Sequence, residues 1–232
     1  MGRIGDFFYH LIIVILVAAA LVFLLMAFKE QYPIWKNQQE LENLRSKVEK
    51  KKTKNENPHI NWENLKSTNP EIVGWIKVPG TKIDYPILQG KEWNEYLHKN
   101  YKGDYSYAGS IFIQPEAAFN DQHLIIYGHN MKNNTMFGSL PKYSKQEYYE
   151  EHSVLYLLTP KQNYKVKLIA GYVTPSDSKV YEFEKTKEER SGLLKTALDN
   201  SLFTSGTTVS DEDRLLTLST CCLLYTSDAA DE

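Results

Sequence analysis

The sequence predicts a mainly β domain, a closed or nearly closed β-barrel with added helices, preceded by one N-terminal transmembrane helix. Three observations support this fold class. An uncharged apolar run lies near the N-terminus, short β-like runs separated by turn residues begin near residue 69, and one clear helix interrupts the later strands. At 232 residues, the chain has room for one ordinary domain and its appendages.

The apolar run comes first in the chain. Residues 7–28 contain no Asp, Glu, Lys or Arg. As a helix this run is about 33 Å long, enough to cross a hydrocarbon core of roughly 30 Å. A cleaved signal peptide fits less well, because the small residues 18–20 lie in the middle of the run. We therefore expect an uncleaved membrane anchor over residues 1–30. The basic residues that follow the anchor weakly favour a cytoplasmic location for the C-terminal domain, although large domains translocate largely regardless of charge.

A charged, helical segment follows the anchor. Apolar residues recur in it at heptad-like spacing, namely Ile34, Leu41, Leu44 and Val48. This pattern is typical of a stalk or partner helix, or of a juxtamembrane helix packed on its own domain, and we favour the second. We expect residues 31–66 to form a helical linker and residues 67–221 to form the β domain.

Within that domain the strands are expected at 73–78, 83–88, 110–113, 123–127, 154–159, 164–174 and 215–221. Pro86 suggests that its strand lies at an edge or carries a bulge. The helix before the last strand begins with a capping box of Thr186 and Glu189. Its apolar stripe consists of Leu193, Leu194, Ala197 and Leu198.

Composition excludes several classes of function. The net charge of −2 argues against nucleic acid as a partner, because phosphate binding needs a concentrated basic surface. The two cysteines, Cys221 and Cys222, are adjacent and cannot easily pair with each other. They form neither a disulfide framework nor a zinc signature, so we expect no metal site and no cofactor.

The candidate chemistry lies at two strand ends. Cys221 ends the last strand, and His129 follows the strand at 123–127. A thiolate is a nucleophile that needs a base or acid beside it. Either residue alone is ambiguous, because free Cys is often only buried and a loop His is often a surface group. Together they favour a Cys–His enzyme.

These segments resemble a known family. Residues 217–221 are similar to the signature strand of the sortases, and residues 126–130 to their histidine segment. Further similar segments are 75–80, 85–90, 108–112 and 136–140. The stretch 138–152 and the helix before the Cys strand resemble class B members in particular. The resemblance covers roughly residues 60 to 221.

The resemblance implies a sortase-like β-barrel and a membrane-anchored cysteine transpeptidase on the outer face of a Gram-positive cell. Its substrates would be surface proteins with a C-terminal sorting motif of the Asn-Pro-x-Thr-x kind. Cys221 would form an acyl-enzyme after the Thr, and His129 would protonate the leaving amine and then deprotonate the amine of a peptidoglycan precursor. The implied partners are these two substrates and membrane lipid around the anchor. Leu97, Ser219 and Thr220 are the expected substrate contacts.

One part of the family pattern is missing. Sortases carry a functional Arg on the strand after the Cys strand, but residues 222–232 contain no Arg, no Lys and no plausible strand. Arg214 lies about 23 Å from Cys221 along an extended strand. We therefore expect residues 222–232 to be a non-native tail, the barrel to lack its closing strand, and the enzyme to be impaired.

Two alternatives stay open. One is a membrane-anchored thiol peptidase that uses the same Cys–His pair but only hydrolyses. The other is a non-catalytic surface module built on a sortase-like barrel.

Overall fold

The computed structural model describes residues 3–48, 60–182, 186–210 and 212–221. The chain divides into two compact units, Met1–Leu44 and Arg45–Glu232. The boundary between them falls inside the expected linker 31–66. Residues 222–232, to which the expected non-native tail and missing closing strand belong, lie outside the described residues.

The first unit is built on one long helix. Helix α1 spans Arg3–Val48 and contains Pro33. Its part from Phe7 onward is long and apolar enough to cross a membrane by length and composition. The large apolar side chains of this run are exposed to the surroundings rather than packed in a core. Exposed apolar surface of this extent is typical of a segment that meets lipid or a partner.

The second unit is built on a seven-stranded sheet that forms a nearly closed barrel. The strands are β1 (Ile72–Lys77), β2 (Asp84–Gln89), β3 (Ile111–Ile113), β4 (His123–His129), β5 (Val154–Leu158), β6 (Asn163–Lys167) and β7 (Leu215–Cys221). Their order in the sheet is β6-β5-β1-β2-β3-β4-β7. The β2–β3 and β4–β7 pairs are parallel, and the other neighbours are antiparallel.

Helices surround this sheet. The α-helices of the second unit are α2 (Trp62–Thr68), α3 (Gln146–Glu151) and α4 (Lys187–Asp199), and short 3-10 turns lie at Glu95–Leu97, Leu140–Ser144 and Lys179–Tyr181. The capping box of α4 is confirmed: the Thr186 hydroxyl accepts from the Glu189 backbone N–H, and the Glu189 carboxylate accepts from the Thr186 N–H. Its apolar stripe is not buried: Leu193, Leu194 and Ala197 are half-buried, and Leu198 is exposed.

The core lies along the central strands. All of β3 is buried, and so is β4 apart from its first residue. Strands that are buried this completely consist of continuous apolar runs, as in Ile111–Ile113. Edge strand β6 instead alternates between exposed and half-buried residues. β4 is therefore buried along nearly its whole length.

The expected strand at 164–174 is shorter than predicted. β6 ends at Lys167, and the chain then leaves the sheet to pack against the segment after α4. Leu168 packs on the cluster of Tyr143, Tyr149 and Phe203. The backbone of Gly171 bonds to Ser201 and Leu202 rather than to a strand. These two bonds pair the backbone N–H and C=O of Gly171, so neither group needs a partner in the sheet.

The expectation for Pro86 was wrong about the edge. β2 lies between β1 and β3. Pairing with β3 begins at Ile87, one residue after the proline, so Pro86 precedes that ladder. The irregularity in the β1–β2 pair lies between Ile72 and Gly74, on the partner strand.

Candidate active site

Two parallel strands bring the predicted pair together. β4 and β7 are paired in register from His123 with Leu215 through to His129 with Cys221. Neighbouring strands of a sheet lie about 4.8 Å apart. The two residues are separated by 92 positions in the sequence, yet the register places their backbones side by side at one end of the barrel.

β4 extends further than the sequence predicted. It includes Gly128 and His129, so His129 belongs to the strand and does not follow it. Gly128 makes this possible because a Cβ there would lie 2.8 Å from the Phe137 ring and closer still to Ile111. Contacts under 3.0 Å are not seen for real Cβ atoms. The glycine therefore lets the strand continue through a tightly packed place to the histidine.

The His129 side chain is buried, with 2% of its surface exposed. Its backbone carbonyl accepts a hydrogen bond of 2.9 Å from Phe137 N–H. Neither ring nitrogen has a hydrogen-bond partner among the residues that the structure describes. Burial lowers the pKa of His129 below its ordinary value of 6.5, and the charge of His98 lowers the pKa further. Both effects favour the neutral imidazole.

His98 is a residue of this site that the sequence interpretation missed. Its ring centroid lies 5.4 Å from that of His129, and the two rings are tilted by 54°. The two residues are far apart in the sequence, and no local pattern around His98 indicates the contact. The sequence carried one indirect signal, because His98 directly follows the predicted substrate contact Leu97.

The loop that carries Leu97 and His98 is fixed by Gly109. Gly109 has φ +57°, and a Cβ there would lie 2.8 Å from the Leu97 carbonyl carbon. Ser110 N–H donates to the Tyr96 carbonyl at 3.0 Å, and Ser106 N–H donates to the His98 carbonyl at 2.9 Å. Leu97 is half-buried and lies next to a residue that contacts His129.

Ser219 and Thr220 face opposite sides of β7. Ser219 pairs with Tyr127 and Thr220 pairs with Gly128, and side chains alternate along a strand. The Ser219 side chain therefore shares the face of Tyr127 and His129, while Thr220 does not. Ser219 is buried, and its hydroxyl donates to the Tyr181 hydroxyl at 3.2 Å. No local sequence pattern indicates the part that Tyr181 plays here.

Arg214 lies at the other end of β7. It precedes Leu215, which pairs with the first residue of β4. Its guanidinium donates to the Phe119 carbonyl at 3.3 Å and lies 5.0 Å from the centre of the Tyr164 ring. This position agrees with the expectation that Arg214 does not serve the Cys221 site. In the part of the chain that the structure describes, no group of His, Cys, Asp and Glu could hold a metal ion.

Comparison with known proteins identifies the family. The Sortase domain model matches residues 76–231, which is more than half of the chain. The chain belongs to the sortase family. Sortase B of Listeria monocytogenes is 40% identical over 161 residues, which cover 68% of this chain and 65% of that protein. This sortase therefore spans somewhat less than two thirds of the length of that relative.

Solved structures give the same class. A Bacillus anthracis protein described as similar to sortase B has a TM-score of 0.72 and 32% identity, covering 81% of this chain and 91% of that one. The Staphylococcus aureus sortase B–substrate complex has a TM-score of 0.70 and 29% identity, covering 86% and 92%. This sortase is thus of class B, and its mainly β, nearly closed barrel with added helices is the predicted fold.

Proposed function

We propose that this chain is a cysteine transpeptidase that cleaves a C-terminal sorting motif of the Asn-Pro-x-Thr-x kind and joins the surface protein to a cell-wall precursor amine. The observation that carries the proposal is the register of His129 with Cys221 at one end of the β4–β7 pair. Two similar structures support the substrate classes: one is a sortase B–substrate complex, and another is a sortase B complexed with triglycine.

In the first half-reaction, Cys221 is the nucleophile and His129 the proton carrier. The lowered pKa of His129 favours a neutral ring before substrate arrives. The Cys221 sulfur bonds to the backbone carbonyl carbon of the motif's Thr, and the thiol proton passes to the His129 imidazole. When the intermediate collapses, the C–N bond breaks and the leaving amine takes that proton from His129. The product is a thioester.

In the second half-reaction, the same two residues reverse their roles. The amine of the precursor attacks the thioester carbon and gives a proton to His129. The C–S bond then breaks, and the thiolate takes the proton back. The net change is one amide bond broken and one amide bond formed, with no proton gained or lost.

Arg45 and Arg214 do not supply an oxyanion donor to this site. Arg45 donates to the Asp84 carbonyl and lies over the Tyr85 ring, and Arg214 binds at the far end of β7. Residues 222–232 contain no Arg. The proposal therefore includes weak oxyanion stabilisation and impaired turnover in the 232-residue chain, because loss of a main donor commonly costs about 10²–10³ in rate.

A chimera tests this part of the proposal. Residues 1–221 are joined to the C-terminal segment of the Listeria relative, and the rate of sorting-peptide cleavage is compared with that of the original chain. The expected gain is about 10²–10³, removed when the arginine of the added segment is changed to Ala. Equal rates for the chain and the chimera would contradict it. A genomic read through this locus is the independent check on the non-native tail, because a natural stop codon after Glu232 would refute it.

The proposed domain plan has an anchor at residues 1–30, a linker at 31–66 and the catalytic domain at 67–221. Helix α1 would cross the membrane once, in contact with lipid, and the catalytic domain would lie outside the cell. The support is the exposed apolar surface of α1. A protease added to intact cells should remove the catalytic domain and leave the anchor; a domain that resists until the cells are lysed would refute the orientation.

Product analysis tests the reaction type. The full chain in detergent micelles is incubated with a sorting-motif peptide, with and without triglycine, and the products are identified by mass. Transpeptidation predicts a peptide–triglycine product that is lost in Cys221→Ala and kept in the matched control Cys222→Ala. Only hydrolysed peptide in both conditions would indicate the thiol peptidase.

A further inference from the structure

A second histidine lies against the proposed general acid–base. His98 follows the 3-10 turn Glu95–Leu97, and its ring centroid is 5.4 Å from that of His129. The reaction steps described above do not use it. Two imidazoles in contact at a catalytic position are chemically significant, because each ring can carry a proton and a proton on one opposes a proton on the other.

The surroundings of His98 hold its ring in place. Its backbone carbonyl accepts from Ser106 N–H. On another side, its ring is stacked with Tyr105, with centroids 6.4 Å apart and an angle of 28° between the planes. The Nδ1 atom of His98 is buried and has no hydrogen-bond partner among the described residues. Packing, rather than hydrogen bonding of that nitrogen, therefore sets the position of the ring.

We propose that His98 is a positioning residue of this site. It packs against the His129 ring and opposes the binding of a second ring proton, which would turn His129 into the charged imidazolium. This inference rests on the proposed function of His129. It adds a role that the Cys–His pair alone does not supply: His129 stays neutral, and so able to accept a proton, down to a lower pH than it would without this neighbour. His98 touches neither of the reacting bonds in this proposal.

The charges around the pair are consistent with this role. Cys221 is the titratable residue that β7 contributes opposite His129. Beside His98 in the sequence, Lys99 and Glu95 form an ion pair of 3.0 Å with each other. Tyr105 contributes a stacked, hydroxyl-bearing ring against His98. The lowered pKa of His129, with burial as its largest cause and His98 as the second, agrees with the geometry.

Two substitutions separate charge from packing. His98→Phe keeps an aromatic ring against His129 but removes the charge. His98→Lys keeps a positive charge but removes the ring. If charge is the main influence, the titration midpoint of His129 rises in His98→Phe and stays low in His98→Lys. The matched control is His123→Gln, because His123 lies at the other end of β4 and bonds to Thr217.

Nuclear magnetic resonance of the full chain in detergent micelles, with isotope-labelled histidine, measures the midpoint directly. We expect the His129 midpoint to rise in His98→Phe, because the repulsion by His98 is removed while burial is kept, and to stay unchanged in His123→Gln. A midpoint that does not move in His98→Phe would overturn the proposal. If that variant does not fold, His98→Gln is measured in its place and must show the same rise.

Kinetics in the chimera give a second readout. The low-pH limb of kcat/KM for a sorting peptide should move to higher pH in His98→Phe, because neutral His129 is then lost at higher pH. A drop in rate at every pH, without movement of the limb, would mean that His98 acts only on structure and would contradict the charge effect. The NMR titration does not need turnover, so failure of the proposed function would not be confused with failure of this inference.

Discussion

At the scale of single residues, His129 combines deep burial with an unusual lack of hydrogen-bond partners. Its two ring nitrogens are buried and without partners among the described residues. A catalytic imidazole has to leave its nitrogens available for the proton that it carries, and such availability costs stability when the group is buried. If His129 is the proton carrier that we propose, this lack of partners favours function over folding.

The lowered pKa of His129 predicts how stability changes with pH. Its pKa in the folded protein lies below the ordinary value of 6.5, so the unfolded chain binds a proton more readily. The free energy of unfolding should then fall as the pH drops below about 6.5. Urea unfolding at pH about 7 and about 5, for the wild type and His129→Gln, isolates this contribution. The wild type should lose more stability than the variant; an equal loss in both would contradict the lowered pKa.

Gly128 gives a second prediction at this scale. Its missing Cβ leaves room for Phe137 and Ile111, so Gly128→Ala should lower the free energy of unfolding by about 1–3 kcal/mol. Gly192 is the control, because a Cβ there meets nothing within 4 Å and the residue lies inside α4. Gly192→Ala should stabilise by up to about 1 kcal/mol. Similar destabilisation by both substitutions would show that the packing argument is wrong.

At the scale of elements, the site is assembled from a rigid strand pair and two connecting segments. β4 and β7 position His129 and Cys221. The turn Glu95–Leu97 brings His98 to one side, and the turn Lys179–Tyr181 brings Tyr181 to Ser219. In the proposed site, His129 and Cys221 lie on strands, which position residues precisely, whereas His98 and Tyr181 lie on connecting segments, which can vary more.

The Ser219–Tyr181 contact makes a prediction for these elements. If the hydrogen bond fastens Lys179–Tyr181 to β7, the effects of Ser219→Ala and Tyr181→Phe on unfolding should not add. The double variant should be more stable than the sum of the two predicts by about 0.5–1.5 kcal/mol. Thr220→Ala is the control, since its side chain points to the other face, and it should add fully to Tyr181→Phe. If the effects of Ser219→Ala and Tyr181→Phe on the free energy of unfolding add fully, the contact is refuted.

At the scale of the whole molecule, the sequence predicted the strands that are set by continuous apolar runs. The runs that became β1, β2, β4 and β7 are recognisable because burial selects their composition. The α4 capping box is equally local, since Thr186 and Glu189 are three residues apart. The class B sortase fold was predicted from the resemblance to the family, and the family match confirms it.

Features that depend on tertiary packing could not be predicted in the same way. The His98–His129 and Ser219–Tyr181 contacts join residues that are distant in sequence, and neither leaves a local pattern. β6 ends early because Gly171 finds partners in the segment after α4. Pro86 sits inside the sheet because the β3 ladder begins only after it. In each case, a neighbour from elsewhere in the chain overrides the local signal.

The central claim is that Cys221 is the nucleophile of a sorting reaction. The most direct measurement is the intact mass of the full chain after reaction with a thiol-directed analogue of an Asn-Pro-x-Thr peptide, since one labelling event needs no turnover. We predict one adduct, on Cys221, lost in Cys221→Ala, retained in Cys222→Ala and slowed in His129→Gln. No adduct, or an adduct that survives Cys221→Ala, would contradict the claim and leave a non-catalytic surface module as the better description.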